Sequence, residues 1–471
     1  PTDGDRVGLP MIGGYVNYLK VTIDMGKFKM WEQDSPWLYE LQVGIQNENG
    51  EMLDVTAREF GMRKFSMDTI SKPKGMMYLN EEKIRLRGAN TMGHLQNCVM
   101  DKDWAQLRDD ILLAKIANMN FLRFTQRPVQ KEVYEYCDML GMLNQTDLPM
   151  FGILTRNQFA EALKQTEEME RLIRDHPSAI IVSYMNEKAP NAAGFPQRGF
   201  KKAADFDKAY KAFDQAILLN NPDRVIKSTD GDYDPPSPGL PDNHCYNFWY
   251  NGHGLGVGKM YRGYWMHVKP GWYYGCGEFG AEGLDRTNVM YKHYPKEWLP
   301  KSKAEERSWT PGNISKAQTP KFHHMWYNTP QSMDDWIKAS QNHQAWAVKL
   351  TTEAFRRDPR MVSFAVHLFI DAWPAGWMKT IMDVERQPKK AYWEYREALK
   401  PLIVSLRSDR DKYFSNDSVS IESWVCNDRN EIPESFTLKY QLVKGEKIVF
   451  ANHVSPEIPS NSAKFNGFID F

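Results

Sequence analysis

The stretch NQFAEALKQTEEMERLIRDHPSAIIVSYMNE, residues 157–187, decides the fold. Its first part, 157–176, has the periodicity of an amphipathic helix and is the clearest helix in the chain. AIIVSYM (179–185) follows, apolar with few charges, and reads as a buried strand that delivers Asn186 and Glu187 side by side at its carboxyl end. A helix feeding a buried strand is half of a βα repeat, and the neighbouring sequence repeats it.

Upstream, KIRLRGAN (83–90), NFLRFTQ (120–126) and MLNQTDLP (142–149) read as strands, separated by helices over 104–119 and 132–141. Downstream come a helix over 201–219 and strands at RVIKSTD (224–230), near HCYNFW (244–249), at WYYGCGEF (272–279) and at MVSFAVHLFID (361–371). Alternating units of this kind favour a parallel sheet with covering helices, and eight strand candidates favour a (β/α)8 barrel. The polar stretch 285–332, rich in Lys, Pro and Trp, follows the seventh strand and is expected to be a long loop over the barrel mouth.

The flanks read differently. YVNYLKVTIDM (15–25), WLYELQVGIQN (37–47) and MLDVTAREFGMRKF (52–65) are strands divided by turn signals, and short strands return at 418–428, 436–445 and 447–455. The expected fold class is therefore multidomain α/β and all-β. Residues 1–67 are expected to be a partial β-sandwich, 68–405 the barrel, and 406–471 a second sandwich whose completeness is left open.

At 471 residues the chain is long for a single domain, and 42% apolar residues suffice for a large core. Sixty basic against sixty acidic side chains argue against nucleic acid or an anionic membrane as the main partner. Aromatics at 13% suit stacking against sugar rings and equally suit β-rich cores. Five scattered cysteines, none in a C-x-x-C pair, read as buried hydrophobes and not as a disulfide framework or zinc site. No apolar run of membrane-spanning length is present. The start at Pro1, without methionine or signal peptide, reads as a processed or truncated product and leaves the compartment open; a bacterial origin would imply a periplasmic or secreted protein.

Chemistry converges on one end of the barrel. Active sites of parallel barrels form at the carboxyl ends of the strands. Glu187 ends the fourth strand, and Glu278, in GCGEFGAEG (275–283), ends the seventh. Two carboxylates in one bowl are what glycoside hydrolysis requires, one giving a proton to the leaving oxygen and the other acting at the anomeric carbon. Glu282, four residues on, is the rival of Glu278.

On SPWLYELQV with FGMRKF, LNEEKIRLRGAN, ANMNFLRF, YEYCDMLGM, HPSAIIVSYMNE and GEFGAEG, in that order, the chain resembles glycoside hydrolase family 2. That family contains β-galactosidases, β-glucuronidases, β-mannosidases and exo-β-glucosaminidases. The resemblance implies immunoglobulin-like sandwiches around the barrel, Glu187 as acid/base and Glu278 as nucleophile of a retaining reaction. It implies Asn186 as a contact to the sugar's 2-position, Tyr246 as hydrogen-bond donor to the nucleophile, and Arg123 as a charge lowering the nucleophile's pKa. His244, beside Tyr246, is expected to line the site. RLRGANTMG, CDMLGMLNQTDLP and the segment 371–406 lean towards the β-mannosidase and exo-β-glucosaminidase branch, which makes Trp373 and Trp377 sugar-stacking candidates and Asp147 a hydroxyl contact. His94 is expected to satisfy a loop hydrogen bond.

The expected substrate is an oligosaccharide or glycoside with a terminal β-linked sugar, mannoside- or glucosaminide-like first, galactoside or glucuronide second. Acid/base cycling implies a bell-shaped pH profile. No organic cofactor is called for; a structural or activating metal ion is left open. His367 and Leu368 stand where the branch usually carries Trp and Gln, and FTQRPVQ (124–130) departs from the family's patterns. These changes keep a second reading alive, a catalytically silent carbohydrate-binding homologue. A metal-dependent aldolase, a third, lacks a His/Asp ligand cluster. The family's N-terminal jelly roll has no counterpart here, so a second copy or a missing N-terminal segment is expected to cover the first β-domain.

Overall fold

The computed structural model describes residues 5–11, 14–188, 203–231, 239–250, 269–374, 376–410, 412–432 and 436–471. Its centre is a parallel sheet built from the first (Leu86–Thr91), second (Phe121–Phe124), third (Leu143–Asp147), fourth (Ala179–Ser183), fifth (Val225–Ile226), seventh (Tyr274–Phe279) and eighth (Met361–Val366) barrel strands. The order along the sheet is fifth, fourth, third, second, first, eighth, seventh. Met185–Asn186 and Thr229–Asp230 pair in parallel and carry the fourth and fifth strands to the site.

The sixth position departs from expectation. Asp242 and Cys245 meet the seventh strand through isolated bridges to Gly275 and Phe279, and Asp242 Oδ1 also accepts from the Gly277 amide at 2.9 Å. The expected strand over 244–249 is cut short because the amides of Trp249 and Tyr250 both donate to the Tyr246 carbonyl, closing a turn in place of a ladder.

Every residue of the first, second, third, fourth, seventh and eighth strands is buried. Their amino-terminal halves meet an apolar plug of Leu86, Phe121, Leu143, Ile181 and Val362 with Trp31 and Met77. Their carboxyl-terminal halves carry Asn90, Arg123, Asp147 and Glu278 among apolar residues such as Phe124, Val182, Phe279 and Val366. The sheet thus has a dry end and a chemically active one.

Helices cover the outside for local reasons visible in the sequence. Asp103 caps Trp104–Ile116 by accepting from the Gln106 amide at 3.0 Å, and Gly141, at φ +68°, ends Lys131–Leu140 in the left-handed conformation that suits glycine. The 25-residue helix Met333–Arg357 lies where the reading above assigns no element. Ser332 caps it, with Asp334 and Asp335 in its first turn and Arg356 and Arg357 in its last, charges that complement the helix dipole.

Residues 285–332 are not a structureless loop. They fold into short helical turns, among them Thr287–His293, Lys303–Glu306 and Thr319–Phe322. Met290, Tyr294, Trp309 and Ile314 from this stretch pack with Leu284, Met333 and Trp336 into a core of their own. The Trp content that suggested a mouth-covering loop is therefore largely packing.

The flanks are β-rich, but the sandwiches expected from the resemblance are not formed by their pairing. Tyr39–Gln46 and Met52–Phe60 make a two-stranded hairpin exposed at nearly every position, so neither face is buried as a sandwich requires. Asp5–Met11 and Gly14–Lys20 form a separate hairpin. At the other end a three-stranded sheet, Leu402–Arg407, Ser420–Asn427 and Ser462–Asp470, stands beside the hairpin Leu438–Lys444 and Lys447–Val454. All five cysteines are buried and unpaired. Among the described residues no helix is long and apolar enough to cross a membrane.

Candidate active site

Arg123, at the end of the second strand, is fully buried, and its guanidinium organises the bowl. Nε and Nη2 reach Asp147 Oδ2 at 2.9 and 2.7 Å, and Nη1 reaches Asp230 Oδ1 at 2.8 Å and Glu278 Oε1 at 3.1 Å. Nη2 also donates to Asn186 Oδ1 at 2.6 Å. A planar fork with five donors suits this task in a way a lysine would not. The Asn186 NH2 group has no acceptor among the described residues, and Asn186 lines the cavity described below.

Glu278 is held by Arg123 on one oxygen and by the Tyr246 hydroxyl, donating at 2.8 Å, on the other. Burial alone would push its carboxyl up. The charges of His244, of His367 at low pH and of Arg123, with the Tyr246 bond, outweigh burial and lower it to about 2. His367 lies 3.9 Å from Glu278, but burial lowers that imidazole to about 4, so near neutral pH it adds no charge.

Glu187 leaves the fourth strand with φ +48°, in the left-handed region that costs a non-glycine residue about 1–3 kcal/mol. Its amide is tied to the Asp230 carbonyl at 2.8 Å, and its side chain remains 27% exposed. His244 bridges it to the interior: Nδ1 lies 2.9 Å from Glu187 Oε1, and Nε2 lies 3.0 Å from Asp230 Oδ1. Burial would lower this imidazole, but Glu278, Asp230 and Glu187 together raise it to about 10. Beneath, Lys227 pairs with Asp230 at 2.5 Å and with Asp242 at 3.0 Å.

These groups border a cavity of about 480 Å3, lined by Asn186, Glu187, Tyr246, Glu278, Trp377 and Lys379 together with Met92, Gln126, Phe151, Tyr250, Gln318 and His367. Arg123, Asp147 and His244 stand behind that wall. Asp147, expected to meet a sugar hydroxyl, is 2% exposed and engaged by Arg123, Gln145 and the Gln126 amide, so it positions the guanidinium. Trp377 lines the cavity, edge-on to His367 at 5.4 Å, whereas Trp373 packs over Gly93 outside it. Glu282, the rival of Glu278, accepts from the amides of Gln318 and Thr319 and from the Thr319 hydroxyl, which fixes it as a cap. Among the described residues neither ring nitrogen of His94 has a partner, so the expected loop hydrogen bond is not found there; the ring packs edge-on against Phe369.

Sequence reasoning passed over Asp230, Asp242, Lys227 and Lys379. Asp230 carried the same signal as Glu187, an acid at a strand's carboxyl end. Lys379 sat unread in the Trp-containing segment. Glu187, His244 and Glu278 place donor atoms within 4.8 Å of one another, as do Asp230, Asp242 and His244. Both His244 nitrogens already meet carboxylates at hydrogen-bond length, so a cation would have to break these contacts to enter.

Residues 70–229 match the family model described as glycosyl hydrolases family 2, TIM barrel domain. The matched stretch is therefore a glycoside hydrolase family 2 barrel segment. A β-galactosidase of Enterobacter cloacae is 27% identical over 189 residues, covering 38% of this chain and 18% of that protein. The fold is similar to that of the β-D-mannosidase from Dictyoglomus thermophilum, with a TM-score of 0.71, 19% identity, and coverage of 97% of this chain and 56% of that one. An exo-chitosanase of Amycolatopsis orientalis follows, with a TM-score of 0.65, 15% identity, and coverage of 93% and 51%. The chain thus spans about half the length of these solved structures.

Proposed function

We propose that the chain carries the catalytic barrel of a retaining exo-β-glycosidase, with Glu278 as nucleophile and Glu187 as acid/base. The observation that carries this reading is separation. Carboxyl oxygens of Glu187 and Glu278 approach within 4.8 Å. Double displacement uses carboxyl groups about 5–5.5 Å apart, whereas inversion needs about 6.5–9.5 Å to admit a water. Glu278, ionised down to about 2, is suited to attack the anomeric carbon; Glu187, facing the cavity, is suited to meet the leaving oxygen. The Asn186 amide is suited to a 2-hydroxyl, and Trp377 to the sugar's apolar face. The reaction calls for no organic cofactor. Residues 68–405 form the catalytic unit in this reading, with 1–67 and 406–471 as β-rich flanks.

A mannoside- or glucosaminide-like sugar comes first. A uronide-type sugar is the second reading, favoured by Lys379. Its ammonium lines the cavity, bonds the Tyr250 hydroxyl and lies 4.2 Å from the Tyr246 ring centre, with no carboxylate partner among the described residues.

The test is initial hydrolysis of aryl β-mannoside, glucosaminide, galactoside, glucuronide and glucoside, with product anomers followed by NMR. The wild type is expected to cleave one class with a β-anomer as first product, and Glu278→Gln to lose at least about 10³-fold in kcat. An α-anomer as first product would overturn retention. No turnover on any member would favour the silent binding homologue.

A further inference from the structure

We propose that His244 holds the proton that Glu187 delivers to the leaving group, so that the working acid is the Glu187–His244 pair; the inference rests on the β-glycosidase reading above. Both imidazole nitrogens end on carboxylate oxygens, Nδ1 on Glu187 at 2.9 Å and Nε2 on Asp230 at 3.0 Å. A neutral imidazole has one N–H and one lone pair and cannot donate to both. One further proton therefore lies in the Nδ1–Oε1 contact, either on the ring beside a carboxylate or on Glu187 beside a neutral ring.

Among the described residues the surroundings leave that proton one way out. The His244 side chain is fully buried, and Gly231, at φ +75°, closes on the ring so tightly that a Cβ there would lie 2.8–2.9 Å from three ring atoms. Glu187 and Asp230 touch the ring directly, and Glu278 Oε2 stands 3.5 Å from Nδ1. Arg123 and Lys227 hold Asp230 from its other side, Asp242 receives the Gly231 amide, and neutral His367 lies beyond Glu278. Of the carboxylates bonded to the ring, Asp230 is fully buried and Glu187 alone opens to the cavity. The path runs from Nδ1 through Glu187 to the bound glycoside.

The chemistry balances. In the first step the bond from the anomeric carbon to the leaving oxygen breaks and a bond to a Glu278 oxygen forms, which removes the Glu278 charge that favoured an imidazolium. The proton passes from Nδ1 to Glu187 and from Glu187 to the leaving oxygen. The ring is left neutral with Nε2–H on Asp230, and Glu187 is a carboxylate. In the second step water attacks the anomeric carbon and the bond to Glu278 breaks. The water's proton goes to Glu187 and returns to the contact with Nδ1. The summed charge of the three groups is the same before and after each step. His244 acts through Glu187 and is a positioning and proton-holding residue.

The test compares wild type with His244→Gln on phenyl and 2,4-dinitrophenyl β-glycosides of the sugar that the wild type cleaves. The phenyl glycoside, whose departure needs a proton, is expected to slow by about 10²–10⁴-fold at pH 7. The dinitrophenyl glycoside, which departs unprotonated, is expected to slow by less than about tenfold, the residual electrostatic effect on Glu278. The alkaline limb of kcat/KM should fall by about two pH units or more, as a carboxyl alone becomes the acid. Equal losses on both substrates with an unmoved limb would overturn the proposal and leave His244 a structural residue.

Because a glutamine between two carboxylates can unfold the site, ring 15N NMR of histidine-labelled wild type is the second readout, before and after trapping Glu278 with a 2-fluoroglycosyl fluoride. His244 Nδ1 is expected to move to its lone-pair shift on trapping. Hydrolysis and trapping with unchanged ring shifts would sink the proton role alone. A wild type that neither hydrolyses nor traps any glycoside would sink the β-glycosidase reading and this inference with it.

Discussion

Tyr246 and Arg123 reach opposite oxygens of Glu278, so each controls the same charge from a different side. Tyr246→Phe removes one hydrogen bond and no charge. The acid limb of kcat/KM is expected to rise by about one pH unit, which at 1.4 kcal/mol per unit corresponds to the loss of a hydrogen bond to a charged group. Arg123→Met is harsher, because it leaves Asp147, Asp230 and Glu278 without their shared cation. Urea titration should show a loss of about 3–5 kcal/mol, the usual effect of breaking a buried ion pair from one side. The same groups set the pH dependence of stability. Glu278 is lowered from 4.5 to about 2, so its contribution is present above pH 4.5 and is lost as pH falls through about 2. His244 is raised from 6.5 to about 10, so its contribution is full below pH 6.5 and is lost as pH rises through about 10. Urea midpoints measured across pH 2–10 should therefore plateau between about pH 4.5 and 6.5, and His244→Gln should flatten the alkaline fall. A midpoint unchanged up to pH 10 in the wild type would contradict the charged imidazole.

The seventh strand shows why an element can matter more than its one reactive side chain. At Gly277 an added Cβ would overlap the Asp230 carboxylate, the group that receives Arg123, Lys227 and His244. Gly277→Ala is expected to cost about 1–3 kcal/mol by overpacking and to lower kcat by about 10²-fold, a loss typical of misplaced reacting groups, without touching either glutamate. Full activity in that variant would show that Asp230 can move without consequence. The glycines of GCGEFGAEG were visible in the sequence, but the carboxylate they make room for was not, since it arrives from the fifth strand. The same division runs through the whole barrel. Apolar strands such as AIIVSYM and MVSFAV were legible because a buried strand is written in its own residues. Asn186, Glu187 and Glu278 could be placed at the bowl because the carboxyl end of a strand faces it in any parallel barrel, whereas Tyr246 came from the family resemblance alone. Whether an acid there faces a substrate or a buried guanidinium depends on another strand, and Asp147 was misplaced for that reason. Trp373 and Trp377, four residues apart on one segment, differ only in which way the backbone turns. The helix Met333–Arg357 was hidden by the Trp- and Pro-rich stretch before it, whose aromatic residues pack against its first turns and gave no helical period of their own.

At the scale of the molecule, the central sheet is buried almost throughout and the flanking hairpins are not. Leu41, Val43 and Ile45 alternate along Tyr39–Gln46, so they share one face of the hairpin, and Val43 and Ile45 are 54% and 61% exposed. Val404 and Leu406 on the C-terminal sheet, with Ile448 and Phe450 on its neighbouring hairpin, are exposed as well. Two-stranded units leave a row of unpaired amides and carbonyls along each outer edge, a template for pairing with another chain. Electrostatics offers no opposition, because the chain has a formal net charge of zero at pH 7. Exposed apolar side chains, open strand edges and no net charge act in the same direction, towards association of this chain with copies of itself. Light scattering after size exclusion at pH 7.4 should show a mass that grows with concentration in the range of about 1–100 µM, the range in which exposed strand edges aggregate. Val43→Lys with Ile45→Lys places two ammonium groups on the apolar face and charges the edge. That pair is expected to shift the distribution towards monomer and to leave hydrolysis unchanged, since the hairpin contributes no residue to the cavity wall. A wild type that stays monodisperse and monomeric across that range would show that the exposed faces are tolerated in solution.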